Sequence, residues 1–200
     1  MSTPKPKFVC GIDYSMTCPA ICCHPMRKEF SWSNCQVYFL APAKKYEQQF
    51  ENILGTPYPD YSHAKGDTNK EMTRFDKICN WAINSIMDFS TEPGTVVIEG
   101  YAMGAKGRVF HIAENTGILK YNLWNSNGYD IQVAAPTTIK KFATGKGNAN
   151  KDRMYECFLE ETGCDLLKLL SCQSEKIGSP IGDIVDAYYL CKYANHHSSS

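Results

Sequence analysis

Four carboxylates stand where no structural role calls for them. Asp13 falls late in the apolar run KFVCGIDYS of residues 7–15, Glu99 closes the run TVVIE, and Asp183 and Asp186 are spaced i, i+3 in the segment after Pro180. On a helix the last two share one face. Each acid taken singly reads as a solvated surface group, and Asp183, close to Pro180, also suits the positive end of a helix dipole. Asp13, Glu99 and Asp186 nevertheless interrupt strongly apolar stretches, where an unpaired carboxylate is costly. If the elements carrying them meet, the four acids form an all-oxygen cluster of the kind that hard divalent cations prefer. A second set, Cys18, Cys22, Cys23 and His24, holds metal-ligating types, but consecutive strand residues point to opposite faces. The ten cysteines scatter across apolar segments without zinc-ribbon spacing, and are expected as reduced, mostly buried thiols.

One compact domain has to position these groups. The chain has 200 residues, 43% apolar and 21% charged, with Lys plus Arg and Asp plus Glu at 21 each. That is an ordinary soluble composition, and no global field draws the chain to nucleic acid or a membrane. No apolar run approaches the ~20 residues of a bilayer span. No apolar h-region follows the first seven residues, so a cytoplasmic location is expected, in a bacterium or a virus-infected host cell.

Residues 7–15, 18–24 and 35–40 read as three strands of an antiparallel meander, with a polar turn at 25–34. Residues 41–68, rich in proline, tyrosine, lysine and glutamine, read as an insertion or mobile loop with a short helical stretch around 44–54. Thr68 and Glu71 form a capping box ahead of Met72, Phe75, Cys79, Ala82, Ile83 and Ile86 at helical spacing. TVVIE is a buried strand, residues 108–125 a helix with Phe110, Ala113, Gly117, Tyr121 and Trp124 on one stripe, and residues 129–134 a further strand, giving a right-handed parallel crossover. The opposite face of that helix, His111, Asn115, Ile118 and Asn122, is then the exposed one, open to a two-fold partner. Pro136 opens a short helix and Asn150 caps another that stops at Gly163. Pro180 starts the last helix, to about Ala194, before a frayed tail at 195–200. The order β-β-β-α-β-α-β-α-α predicts a single α/β domain over residues 1–200, a mixed five-stranded sheet with helices on both faces.

Four motifs follow one another over residues 7–194: G-I-D-x-S in the first strand, V-V-I-E ending the fourth, P-T-T-I-K-K-F-A-T-G-K-G-N-A-N-K, and D-I-V-D-A in the final helix. Together they resemble the RuvC family of Holliday junction resolvases, particularly its phage-type members. G-I-D-x-S alone also opens the actin and sugar-kinase folds, but 200 residues leave no room for their second lobe. The resemblance implies a ribonuclease H-like fold, a homodimer and metal-dependent cleavage of branched DNA, four-way junctions and forks included. It matches Asp13, Glu99, Asp183 and Asp186 to the family's catalytic acids, ligands for two Mg²⁺ or Mn²⁺ ions. Asp13 is assigned as the bridging ligand, Glu99 and Asp186 as ligands to either ion, and Asp183 as a ligand or water-orienting base. Lys151 matches a basic residue expected near the scissile phosphate, with Lys146 its companion. Two departures stand out: Tyr101 is followed by Ala102 and Met103 where the family places a base-probing aromatic, and residues 41–68 have no counterpart in the shorter bacterial members.

Charge placement agrees with a nucleic-acid partner. Between residues 139 and 153, Lys140, Lys141, Lys146, Lys151 and Arg153 stand against Asp152 alone, although a solvated lysine face is the alternative. Gly145 and Gly147 let backbone amides approach a phosphate closely. Lys106 and Arg108 extend this basic set. Tyr101, Met103 and Phe110 could wedge against bases, with Phe110 better placed in the core. Two other functions fit the same fold: a nuclease cutting RNA in hybrids, and a junction-binding protein without catalysis.

Overall fold

The computed structural model describes residues 7–59, 67–101, 109–172 and 176–198. At its centre runs β1 (Phe8–Asp13), every residue of which is buried. A strand covered on both faces needs apolar groups on both. Val9 enters one core, while Phe8, Cys10 and Ile12 enter the other. β2 (Ala20–Pro25) returns antiparallel, setting Cys22 beside Gly11, and β3 (Gln36–Ala41) pairs antiparallel with β2. The meander is as the sequence predicts.

The segment read as an insertion is instead partly sheet. After a 3-10 turn at Lys44–Tyr46, β4 (Gln49–Phe50) and β5 (Ile53–Pro57) add two strands, β5 lying parallel to β3 with Ile53 beside Val37. Gly55 makes this possible, because a Cβ there would stand 1.8 Å from the Tyr46 carbonyl oxygen. The helical stretch expected at 44–54 reduces to the single 3-10 turn. The sheet therefore has seven strands in the order β4-β5-β3-β2-β1-β6-β7, not five. Strands this short carry too few residues for alternation to show.

α1 (Thr68–Phe89) is capped by Asp67 rather than Thr68, the Asp67 carboxylate accepting from the backbone N–H groups of Asn69 and Lys70. Phe75, Cys79, Ala82 and Ile86 are buried as expected, but Met72 is exposed. β6 (Thr95–Glu99) lies parallel to β1, and after α2 (Val109–Asn127) β7 (Asp130–Ala134) lies parallel to β6. These pairings are those of the predicted crossover.

α2 reverses the sequence reading. Its aromatic stripe faces outward, with Phe110 75%, Tyr121 60% and Trp124 68% exposed, while Asn115, Thr116, Leu119 and Leu123 are buried. The Asn115 side-chain oxygen accepts from the Tyr14 hydroxyl while its Nδ2 is buried without a partner, and the Thr116 hydroxyl donates to the Ile112 carbonyl. A buried polar group with a partner costs little.

α1 and α2 cover one face of the sheet. The other is covered by α3 (Pro136–Thr144), α4 (Lys151–Thr162), the short α5 (Leu166–Leu169), which the sequence did not announce, and α6 (Ile181–Ser198). Asn150 caps α4 by accepting from the Arg153 N–H, and Gly163 ends it at φ +69°. α6 follows a cis Ser179–Pro180 bond and continues to Ser198, so residues 195–198 are helix rather than frayed tail. It lies directly on β1, β2 and β6. Gly11 sets the approach, since a Cβ there would stand 2.1 Å from the Cys191 nitrogen and 2.4 Å from the Ala187 carbonyl oxygen. Among the described residues no helix is long and apolar enough to cross a membrane.

Candidate carboxylate site

β1 and β6 run side by side with Ile12 level with Ile98, so the residues that end them, Asp13 and Glu99, leave the sheet together at one edge. Both point to the α6 side, as do Val9 and Val97 by strand alternation. The first turns of α6 cross this edge and present Asp183 and Asp186. Asp13 is 9% and Asp183 6% exposed, and Glu99 and Asp186 are partly buried. Lys151, the first residue of α4, reaches across so that its Nζ lies 3.0 Å from where a Cβ on Gly182 would be. The missing side chain at Gly182 leaves room for the ammonium.

These groups feel one another. The Asp13 carboxyl is held well above the usual aspartate range by burial first, then by Asp183, Asp186 and Glu99, with Lys151 opposing. Burial also raises Glu99 against the pull of Lys140 and Lys151. Asp186 is pushed up to about 7, by burial and then by Glu99. The sequence assigned Cys18 to a different set, but its wholly buried thiol is pushed up by burial and then by the charges of Asp183 and Asp13, with Lys151 opposing. Its backbone N–H is fixed by donation to the Ser15 hydroxyl oxygen. The only signal for Cys18 was its place on the turn that follows Asp13. The Asp183 Oδ2 is buried without a hydrogen-bond partner. Among the described residues no group of three or more His, Cys, Asp or Glu side chains is arranged to hold a metal ion.

Asp186 sets a pH dependence. A carboxyl whose proton is held more tightly in the folded chain contributes stability fully below its unfolded pKa, and that contribution is lost as pH rises through the folded value. The protein in chelator should therefore melt at progressively lower temperature from about pH 4 to 7, and Asp186→Asn should flatten the slope. Thermal melts across that range check it; a slope that asparagine leaves unchanged would contradict the assignment.

The remaining candidates divide. Lys140 acts on the acids, whereas Lys141 and Lys146 are exposed on the adjoining surface. Arg153 is engaged by Glu156 and Glu160, at 2.9 and 3.6 Å. Tyr101, two residues beyond Glu99, donates its hydroxyl to the Ala113 carbonyl, and the Lys120 ammonium lies 5.5 Å from its ring centroid. Met103, Lys106 and Arg108 lie outside the described residues. The set Cys18, Cys22, Cys23 and His24 does not form one site: Cys18 joins the carboxylates, Cys22 packs in the α6-side core and Cys23 in the α1-side core.

No protein-family model and no curated protein sequence matches the chain. Solved structures do. Thermus thermophilus RuvC is 13% identical, with a TM-score of 0.56 covering 96% of this chain and 93% of its own. The same protein in complex with Holliday junction substrate is 14% identical, with a TM-score of 0.56 over 96% and 97%. Fowlpox virus resolvase, 16% identical over 94% and 99%, has a TM-score of 0.42. The likeness to the RuvC structures is one of fold: the chain has the mixed α/β, ribonuclease H-like architecture, with a sheet larger than predicted.

Proposed function

We propose that this protein is a divalent-metal-dependent endonuclease that cuts branched DNA, four-way junctions foremost, by phosphodiester hydrolysis. The observation that supports it most is the meeting of Asp13, Glu99, Asp183 and Asp186 at one sheet edge beside Lys151, in the fold of a protein solved on a Holliday junction. The donor set fits hard cations. Its oxygens are partly or wholly buried, and the Asp183 Oδ2 lacks any partner. Asp13, Glu99 and Asp186 would hold the ions, and Asp183 would hold one or orient water. Mg²⁺ or Mn²⁺ bound there supplies a water acidic enough to attack at neutral pH and charge to offset the leaving oxyanion. Without a cation the acids repel, by a few kcal/mol at ~4 Å and an effective dielectric near 20.

The chain's own cations bind the DNA. Lys151 holds a non-bridging oxygen of the phosphate to be cut, Lys140 stands beside it, and Lys141 and Lys146 take flanking phosphates. Tyr101, two residues beyond Glu99, is the candidate to meet a base at the branch. Affinity should fall with salt, with a slope of about −0.9 for each duplex phosphate neutralised. The deciding experiment incubates labelled four-way junction, Y-fork, linear duplex and RNA–DNA hybrid with and without Mg²⁺ or Mn²⁺. Metal-dependent cutting of the junction is expected. Preferential cutting of the hybrid, or binding without any nicking, would overturn the reading.

A four-way junction is resolved by paired cuts, which a two-fold dimer provides. The face for it is the outward stripe of α2, not the opposite face that the sequence suggested. Phe110, Tyr121 and Trp124, with Val133 on β7 also exposed, leave large apolar groups in water. Trp124→Lys should weaken self-association about 100-fold, the effect of losing a central aromatic anchor. Sedimentation would show monomer, and cleavage would shift from paired cuts to single nicks.

A further inference from the structure

The connection between β1 and β2 begins where the carboxylate site begins. Asp13 and Ala20 face each other at the ends of the two strands, so residues 14–19 close the hairpin directly beyond Asp13, and a swing of this turn moves the strand end that aims its carboxylate. A connection without regular structure is mobile unless something ties it down. This one is tied from outside at three points. At its start the Tyr14 hydroxyl donates to the Asn115 side-chain oxygen on α2 at 3.4 Å. At its end the Pro19 carbonyl accepts from the Leu40 N–H of β3 at 3.1 Å. The middle is held most closely. The Met16 carbonyl accepts from the Tyr58 hydroxyl at 2.6 Å and from Arg74 Nη2 at 2.5 Å, which occupies both of its lone pairs. Arg74 Nε and Nη2 each donate to the Tyr58 hydroxyl oxygen at 3.2 Å, and the guanidinium carbon lies 5.9 Å from the Tyr58 ring centroid. The turn, the residue that follows β5 and the second turn of α1 thus close one triangle of hydrogen bonds. Arginine suits the corner because its planar fork serves two acceptors at once and its charge strengthens both bonds.

We propose that Tyr58 and Arg74 are positioning residues for the carboxylate site: by fixing the Met16 carbonyl they hold the β1–β2 turn, and with it Asp13, in the geometry that cleavage requires. The inference rests on the nuclease reading above and adds to it two residues that touch neither metal nor DNA. It also gives β5 a task. The register of β5 against β3, with Pro57 level with Ala41, brings Tyr58 to the turn, while Arg74 is brought there by the helix that packs Phe75 and Ile78 into the core.

Hydrogen exchange tests the brace without any need for activity. In the full chain, the peptide covering residues 14–18 should exchange about tenfold faster in Arg74→Ala and in Tyr58→Phe, which keeps the ring and loses only the hydroxyl. On labelled four-way junction with Mg²⁺, Arg74→Ala should lower kcat about 100-fold and Tyr58→Phe about tenfold, with KM within about threefold of the parent, as expected of reacting groups displaced from their geometry. Arg74→Lys keeps the charge without the fork and should stay within about threefold of Arg74→Ala. The double variant should be no slower than Arg74→Ala, because both residues act through one carbonyl. Thr73→Ala, an exposed neighbour on α1, should match the parent in exchange and in rate. A phosphate contact by Arg74 would instead raise KM, reduce the salt slope by about 1 and be restored by lysine, and that result would overturn the assignment. So would unchanged exchange at residues 14–18, or faster exchange with kcat untouched. A parent that does not cut fails the nuclease reading instead, and the exchange rates alone then decide whether Tyr58 and Arg74 hold the turn.

Discussion

Asparagine at position 13 should abolish metal-dependent junction cleavage, by about a thousandfold or more, and yet leave the protein in chelator more stable than the parent. Asp13 is buried among Asp183, Asp186 and Glu99, with Lys151 the opposing charge. Its ionised form is therefore disfavoured in the fold, and at neutral pH the folded chain carries the cost of either the charge or the proton. The amide keeps the volume and removes the repulsion, a gain on the order of 1–2 kcal/mol, with each kcal/mol raising the melting temperature by about 2–4 °C in a chain of this size. Mg²⁺ should raise the melting temperature of the parent and not that of the variant. Melting in EDTA at pH 7.5 and cleavage assays on the same preparation test both halves. A lower melting temperature for the variant in EDTA would mean that the carboxylate is needed structurally and that the acids do not cluster as described.

The second large effect is expected at Gly11. An added methyl group would lie 2.1 Å from the Cys191 nitrogen and 2.4 Å from the Ala187 carbonyl oxygen. Both are helix backbone, so no rotamer change relieves the clash and α6 itself must lift. Overpacking of this kind costs about 3 kcal/mol or more, and Gly11→Ala should lose at least that in urea unfolding. It should also lose the Mg²⁺-induced rise in melting temperature, because the helix that lifts carries Asp183 and Asp186. Gly178→Ala, three residues before α6 with nothing within 4 Å of the new Cβ, should be close to neutral. Equal losses at the two positions would show that the contact at Gly11 does not set the helix.

The acids were legible because each interrupts or ends a run that otherwise reads as core, and because strand period and helix spacing fix where side chains point. Asp13 and Glu99 needed only the neighbouring of β1 and β6, and Asp183 and Asp186 only an i, i+3 spacing. The caps of α4 were legible for a similar local reason, Asn150 and Gly163 acting on their own turns, whereas the cap of α1 is Asp67 and not Thr68. α2 misled because ring size was weighed over satisfied polarity. Phe110, Tyr121 and Trp124 carry the apolar area, but the Thr116 hydroxyl and the Asn115 side-chain oxygen find partners inside, which offsets part of the cost of their burial. β4 and β5 depend on a distant partner, β3, and on a close contact at Gly55 that no local pattern announces. Cys18 and the reach of Lys151 over Gly182 are products of tertiary approach.

The carboxylates come from strands made early and a helix made late. Until α6 leaves the ribosome, β1 and β6 have no roof over the edge that bears Asp13 and Glu99, and one side of the sheet waits uncovered. At that stage the nascent chain is most exposed to aggregation or to capture by a chaperone. Pairing residues near position 11 with residues near 191 closes a long loop, a slow step in two-state folding. The four acids come together late, when the last helix docks.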